Sequence, residues 1–193
     1  MPKVGVKPSR RAALVQATIA EIDEAGTLDV TVSQIARRAG MSSALAHHYF
    51  GSKDQMLVAA MRHILTIFGD EVRGALAMAH TPKARIEAIV RACFSAQNFR
   101  PEVVAAWLNF YVQAQTLDHP ARRLLSVYHW CLHSNLRSGF RSLVDDPDLA
   151  AETIGSLIDG VYIRQALRNS ALSQNDAIDL VLASVTRLVG TET

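Results

Sequence analysis

Residues 31–53, TVSQIARRAGMSSALAHHYFGSK, constrain the fold more than any other stretch. Thr31 and Gln34 have capping-box spacing, in which the hydroxyl takes one orphan N–H at a helix start and the amide side chain returns to another. Ile35, Ala36 and Ala39 then form one small apolar face. Gly40 is placed to stop the run, because glycine adopts the left-handed conformation that ends a helix at little steric cost. Met41 fits the angle of the bend, and Ser42 suits the N-cap of a second run, Ser43 to Tyr49. Two short helices meeting at a tight bend need small residues at the contact and apolar inner sides. Ala36, Gly40, Leu45 and Ala46 supply them, so the pattern predicts a helix–turn–helix. A structural corner between two helices has the same pattern. In the DNA-reading version the second helix brings its N-terminal end to a major groove. Here that end is Ser42, Ser43 and Ala44, all short.

The flanks favour the DNA-reading version. Lys3, Lys7, Arg10 and Arg11 precede the motif with no acid among residues 1–11. Arg37 and Arg38 lie on its first helix, and Lys53 follows the second. Residues 1–62 hold eight Lys and Arg against five Asp and Glu, while the whole chain carries only +2. A mildly basic head on a near-neutral body suits a phosphate-binding module joined to something else.

QIARRAGMS, followed by HHYFGSKDQML, resembles the DNA-binding domain of the TetR family of repressors. The resemblance spans about residues 9–60, and Tyr49-Phe50 with Lys53 is its most specific part. The opening MPKVGVKPSRRAALVQAT, with AAWLNFY and LIDGVYIRQAL further on, is similar to one branch of that family, the choline-responsive repressors of glycine-betaine synthesis genes. This second resemblance covers most of the chain and is strongest at the N-terminus. It implies an all-α, TetR-like, ligand-responsive repressor, with choline as inducer and a two-fold dimer through the last two helices. Ser42, Ser43, Ala44 and His47 are then expected at the groove, Thr31, Tyr49 and Lys53 at phosphates, and Arg10 and Arg11 as arm contacts. Without the motif downstream, those two arginines read as a solvated tail. His48 has no clear place. Two recognition helices related by a dyad sit about 34–36 Å apart, so the operator should be an inverted repeat.

Apolar periodicity and capping signals place about nine helices and no strand. Arg10 to Ala25 has Leu14, Ala17, Thr18 and Ile22 on one stripe, and Gly26 stops it. Ser52 with Gln55 opens a long helix to about Ala79, which would join head to body. Thr81-Pro82, Pro101, Pro120 and Asp146-Pro147 open the next four, since proline fits the first helical turn. The helix opened by Pro120 should reach about Leu143, and the one opened by Asp146-Pro147 should end near Asn169. Ser173 with Asp176 opens the last, to about Val189. The chain divides into a helix–turn–helix domain, residues 1–52, and a ligand-binding and dimerisation domain, residues 53–193. Residues 147–189 carry Leu149, Ile154, Leu157, Ile158, Val161, Leu167, Ile178, Leu180, Val181, Leu182, Val185 and Leu188. A helix apolar on more than one face is covered on more than one side. A second copy is one cover, and the earlier helices are the other.

Trp107, Phe110 and Tyr111 fall at i, i+3 and i+4, so they share a helix face. Core packing explains such a trio, and so does a cage for a cation, whose charge ring faces attract. Asp159 and Tyr162 share a face in LIDGVY, where the carboxylate has apolar neighbours. A carboxylate in apolar surroundings needs a partner; a ligand cation, a neighbouring Arg or a helix N-terminus would serve. In the family the helices bearing these two groups border the ligand cavity. His129 and His133 are four apart, but no further ligand accompanies them in the sequence, so no metal site is expected. Cys93 and Cys131 read as isolated thiols in a reducing cytoplasm. The sequence shows no signal peptide or membrane span, no Ser/His/Asp grouping and no cofactor signature. An enzyme is therefore not expected. The alternatives are a regulator answering a different hydrophobic cation and, further off, an all-α enzyme or carrier.

Overall fold

The computed structural model describes residues 6–27, 29–113, 119–167 and 172–190, and side chains within these except those of residues 6–8, 102, 113 and 119. Lys3, the Lys7 side chain and the expected helix end near Asn169 fall outside that set. Among the described residues there are nine α-helices and no strand: α1 Val6–Ala25, α2 Val32–Arg38, α3 Ser43–Phe50, α4 Lys53–Met78, α5 Pro82–Cys93, α6 Pro101–Gln113, α7 His119–Phe140, α8 Pro147–Leu167 and α9 Gln174–Val189. None of them is long and apolar enough to cross a membrane.

The start signals act as expected. Thr31 Oγ1 accepts from Gln34 N at 3.2 Å, and Thr31 N donates to Gln34 Oε1 at 2.7 Å. Ser42, Ser52 and Thr81 each accept from the backbone N–H three residues on. Ser173 and Asp176 close a second capping box. At the bend after α2, Gly40 has φ +66°. Its N–H reaches Arg37 O at 3.0 Å, and Met41 N reaches Ala36 O at 2.8 Å. This double closure satisfies two carbonyls that the helix end would leave orphaned.

Two helix ends differ from expectation. α1 begins at Val6 and so includes Pro8. A proline in the first turn removes an N–H that has no partner inside the helix, so it is tolerated. α7 stops at Phe140 rather than Leu143, because Leu143 N and Val144 N both turn back onto Phe140 O.

The helices pack as two units. The first is residues 1–64 with 101–122, and the second is 65–100 with 123–193. Packing thus groups α6 with α1, α2 and α3, whereas the sequence division at 52/53 followed element order. In the first unit Leu14, Ala17, Thr18 and Ile22 of α1 are buried, as are Ile35, Ala36, Ala46, Met56, Leu57 and Phe110. α1 lies against both α2 and α6. In the second unit α9 packs on α5 and α8, burying Ile154, Ile158, Val161, Ile178, Val181 and Val185.

Candidate nucleic-acid interface and ligand site

α3 leaves Ala44, His47 and His48 exposed, at i, i+3 and i+4, with Ser42 exposed at its N-cap. His48 thus shares an exposed face with Ala44 and His47, and its ring meets the Tyr49 ring edge-on at 5.7 Å. The spacing from Ala44 was the signal available in the sequence. Ser43 is half-buried, and its hydroxyl donates to Ser33 Oγ at 3.1 Å, joining α3 to α2. His47 Nδ1 lies 2.9 Å from Gly51 O. A carbonyl only accepts, which puts the ring proton on Nδ1.

The expected phosphate contacts begin with other partners. Thr31 Oγ1 also donates to Gln34 Oε1 at 2.7 Å, so it would meet a phosphate by exchanging that bond. Lys53 Nζ is 3.5 Å from Asp29 Oδ1, whose side chain is almost fully exposed. Exposed pairs of this kind contribute about 0–1 kcal/mol, so a phosphate can displace one. Arg10 and Arg37 are exposed. Arg38, counted with the basic flank in the sequence, is tied to α1 instead: Nε donates to Glu21 Oε1 at 2.5 Å and Nη2 to Glu24. The Glu21 hydrogen bond leads the causes that raise the Arg38 guanidinium above its ordinary value. Arg11 is likewise engaged, with Nη1 donating to Tyr49 O at 2.9 Å.

The expected ligand residues lie on α6 and α8. On α6, Trp107 meets Phe110 in a stacked arrangement at 6.2 Å and Tyr111 edge-on at 5.2 Å. Phe110 is fully buried and Trp107 nearly so, while Tyr111 is half-buried. Trp107 thus packs the first unit, and Tyr111 is the more accessible of the two. The neighbouring Asn109 donates to Gly26 O at 3.3 Å, which links α6 to the turn that ends α1.

On α8, Tyr162 is buried in an aromatic cluster. Its ring stacks on Phe94 at 5.6 Å and meets Phe99 edge-on at 5.8 Å, and its hydroxyl donates to Cys93 O. Asp159 is half-sheltered, with Oδ1 closed off from solvent and Oδ2 3.8 Å from His129 Nε2 on α7. Further along, His133 Nε2 is 3.9 Å and Arg137 Nε 2.7 Å from Asp148 Oδ1. His129, His133 and Arg137 recur at i, i+4 and i+8, so the histidine pair reads as the α7 side of a charged seam with α8. Among the described residues no three ligating side chains gather. Burial first, and the Asp159 charge second, push the Cys93 thiol up, so it stays protonated. Asp159 thus places negative charge where α8 passes α5 and α7.

Comparison with known proteins finds two matching families. Residues 14–60 match the tetR family of bacterial regulatory proteins, and residues 82–190 match the C-terminal domain of BetI-type transcriptional repressors. The HTH-type transcriptional regulator BetI of Rhizobium meliloti is 48% identical over 182 residues, covering 93% of this chain and 89% of its own. Its namesake in Brucella anthropi is also 48% identical, covering 94% of each chain. Among solved structures, a transcriptional regulator from Pseudomonas aeruginosa PAO1 superposes with a TM-score of 0.77 at 25% identity, covering 94% of this chain and 91% of that one. A regulator from Saccharomonospora viridis in complex with choline gives 0.78 at 22% identity, covering 92% and 96%, and so shares the fold.

Proposed function

Because the chain belongs to the TetR family of transcriptional regulators, as a BetI-type repressor, we propose that it silences glycine-betaine synthesis genes and releases them when choline binds. It works as a two-fold dimer on an inverted-repeat operator. Ser42, Ser43, Ala44, His47 and His48 meet the groove, while Thr31, Tyr49, Lys53 and Arg10 meet phosphates. The observation that carries the ligand half of this reading is Asp159, a half-sheltered carboxylate on α8 within the matched BetI-type region.

Choline bears a fixed cation with no N–H, so no acceptor can hydrogen-bond its head; a carboxylate and ring faces recognise it instead. On α8, Asp159 is the carboxylate that answers the charge; taken separately, Trp107 and Tyr111 on α6 are ring faces worth about 0.5–2 kcal/mol each to a cation. α6 belongs to the same packed unit as α1 to α3. A ligand held by α6 rings therefore pulls on the head through the α1–α6 contact and the Asn109 bond to Gly26. Release requires choline to bind better to the state that misses the operator than to the state that fits it.

The dimer face is supported by large apolar residues that one chain leaves open. On α8, Leu149, Ile163 and Leu167 are exposed; on α9, Leu180 and Leu188. Gly160 lies between the α8 residues, and a Cβ built there meets nothing within 4 Å. Among the described residues no neighbour within the chain needs that glycine, which leaves room for a partner helix. Val181, by contrast, is fully buried in its own chain. A charge there would unfold the protomer rather than part a dimer.

Calorimetric titration of choline chloride into the purified protein tests the ligand assignment. Saturable binding supports it. Binding of another quaternary ammonium but not choline would move the assignment to that cation, and binding of neither at millimolar concentration would end it. For the DNA half, Lys53→Ala should lower affinity for all duplexes alike and reduce the slope of log affinity against log salt by about one unit. An unchanged slope would remove Lys53 from the phosphate contacts.

A further inference from the structure

The sequence suggests Arg11 as an arm contact to DNA, but its guanidinium is engaged inside the head. Nη1 donates to Tyr49 O at 2.9 Å, and Cζ lies 4.1 Å from the centre of the Phe50 ring. Both partners belong to the last two residues of α3. The last carbonyls of a helix have no partner within it, and cations are favoured at that end of the helix dipole. His47 O accepts from Gly51 N and Phe50 O from Ser52 N, and Tyr49 O takes the arginine. At the other end of α3 the Ser43–Ser33 bond and the closed bend at Gly40 fix it to α2. α2 is itself tied to α1 by Arg38 on Glu21 and Glu24. Both helices of the motif are thus held to α1, one by an arginine near each end of it.

We propose that Arg11 is a positioning residue for the recognition helix: it fixes the direction of α3 and contributes to sequence discrimination, not to phosphate binding. Base readout needs side chains held in register, whereas non-specific binding needs only charge. Loss of the latch therefore weakens binding to the right sequence and leaves binding to the wrong one. Lysine does not replace it, since one ammonium cannot both lie flat on a ring and reach a carbonyl as a planar fork does.

The test compares Arg11→Lys and Arg11→Gln on two duplexes, one selected from a random library by the wild-type protein and one scrambled. Circular dichroism confirms that each variant is folded at the assay temperature. Both variants should lose about tenfold in the ratio of selected to scrambled affinity, with the salt slope on scrambled DNA unchanged. Phe50→Leu, which removes the ring but keeps an apolar core residue, should lower the same ratio and be less than additive with Arg11→Lys. A phosphate contact would behave otherwise: lysine would restore affinity, and glutamine would cut the slope by about one on both duplexes. That result, an unchanged ratio, or full additivity would each overturn the assignment.

Discussion

Changing Leu180 and Leu188 together to glutamate should abolish operator binding while each chain stays folded. The two residues are 46% and 40% exposed and lie eight apart on α9, so they share a stripe, with half-buried Ser184 between them. In a lone chain glutamates at these positions stay in water. Across a two-fold interface each would be buried against the partner subunit, and a charge buried without a partner is strongly unfavourable. A lone head reaches only one half-site. Affinity for the selected duplex should fall about a thousandfold, toward the non-specific level. Sedimentation should show a dimer for the wild type and a folded monomer for the double variant. If the variant stays dimeric and binds the operator, the interface lies elsewhere; a folded wild-type monomer at micromolar concentration would mean that no such dimer forms.

Asp159→Asn should uncouple the ligand from the DNA. Asparagine keeps the shape of the side chain and removes its charge. Removing one partner of a sheltered charge pair costs a few kcal/mol, so choline affinity should drop by about tenfold or more. Operator affinity should stay within about twofold of wild type, because the expected effect of a substitution outside the DNA face and the core is small. The variant would then repress without being relieved. His129 makes this specific, since its ring stands 3.8 Å from the same carboxylate. If Asp159 serves chiefly to hold α7 to α8 through that histidine, the variant should instead melt at a lower temperature and bind choline as tightly as wild type.

Most of the fold was legible because helices announce their ends. Thr31, Ser42, Ser52, Thr81 and Ser173 are short hydroxyl residues that cap wherever apolar periodicity follows, and a cap acts within one turn of chain. Gly40 was legible for the same reason. The packing of α6 against α1 was not, because periodicity shows which face is apolar and not what covers it. The partners of Arg11 and Arg38 were hidden likewise: a basic residue beside a DNA-reading motif looks alike in sequence whether it meets a phosphate or a glutamate 17 residues away. Phe110 illustrates the limit at the candidate site. Spacing put it on one face with Trp107 and Tyr111, and the structure divides that face by depth, Phe110 wholly within the core and Tyr111 only half covered. The α8 and α9 leucines show the same ambiguity, since apolar count alone did not separate Val181 in the core from Leu180 on the surface.

Coupling of DNA binding to a quaternary ammonium within this one protein can be read in a single titration. The wild-type protein is bound to a fluorescently labelled copy of its selected duplex, and choline chloride is added while anisotropy is read, with sodium chloride at the same ionic strength as control. Choline should lower the anisotropy saturably, beyond the effect of salt, and the Asp159→Asn complex should not respond over the same range. Anisotropy that follows ionic strength alone, with choline and sodium indistinguishable, would contradict that coupling.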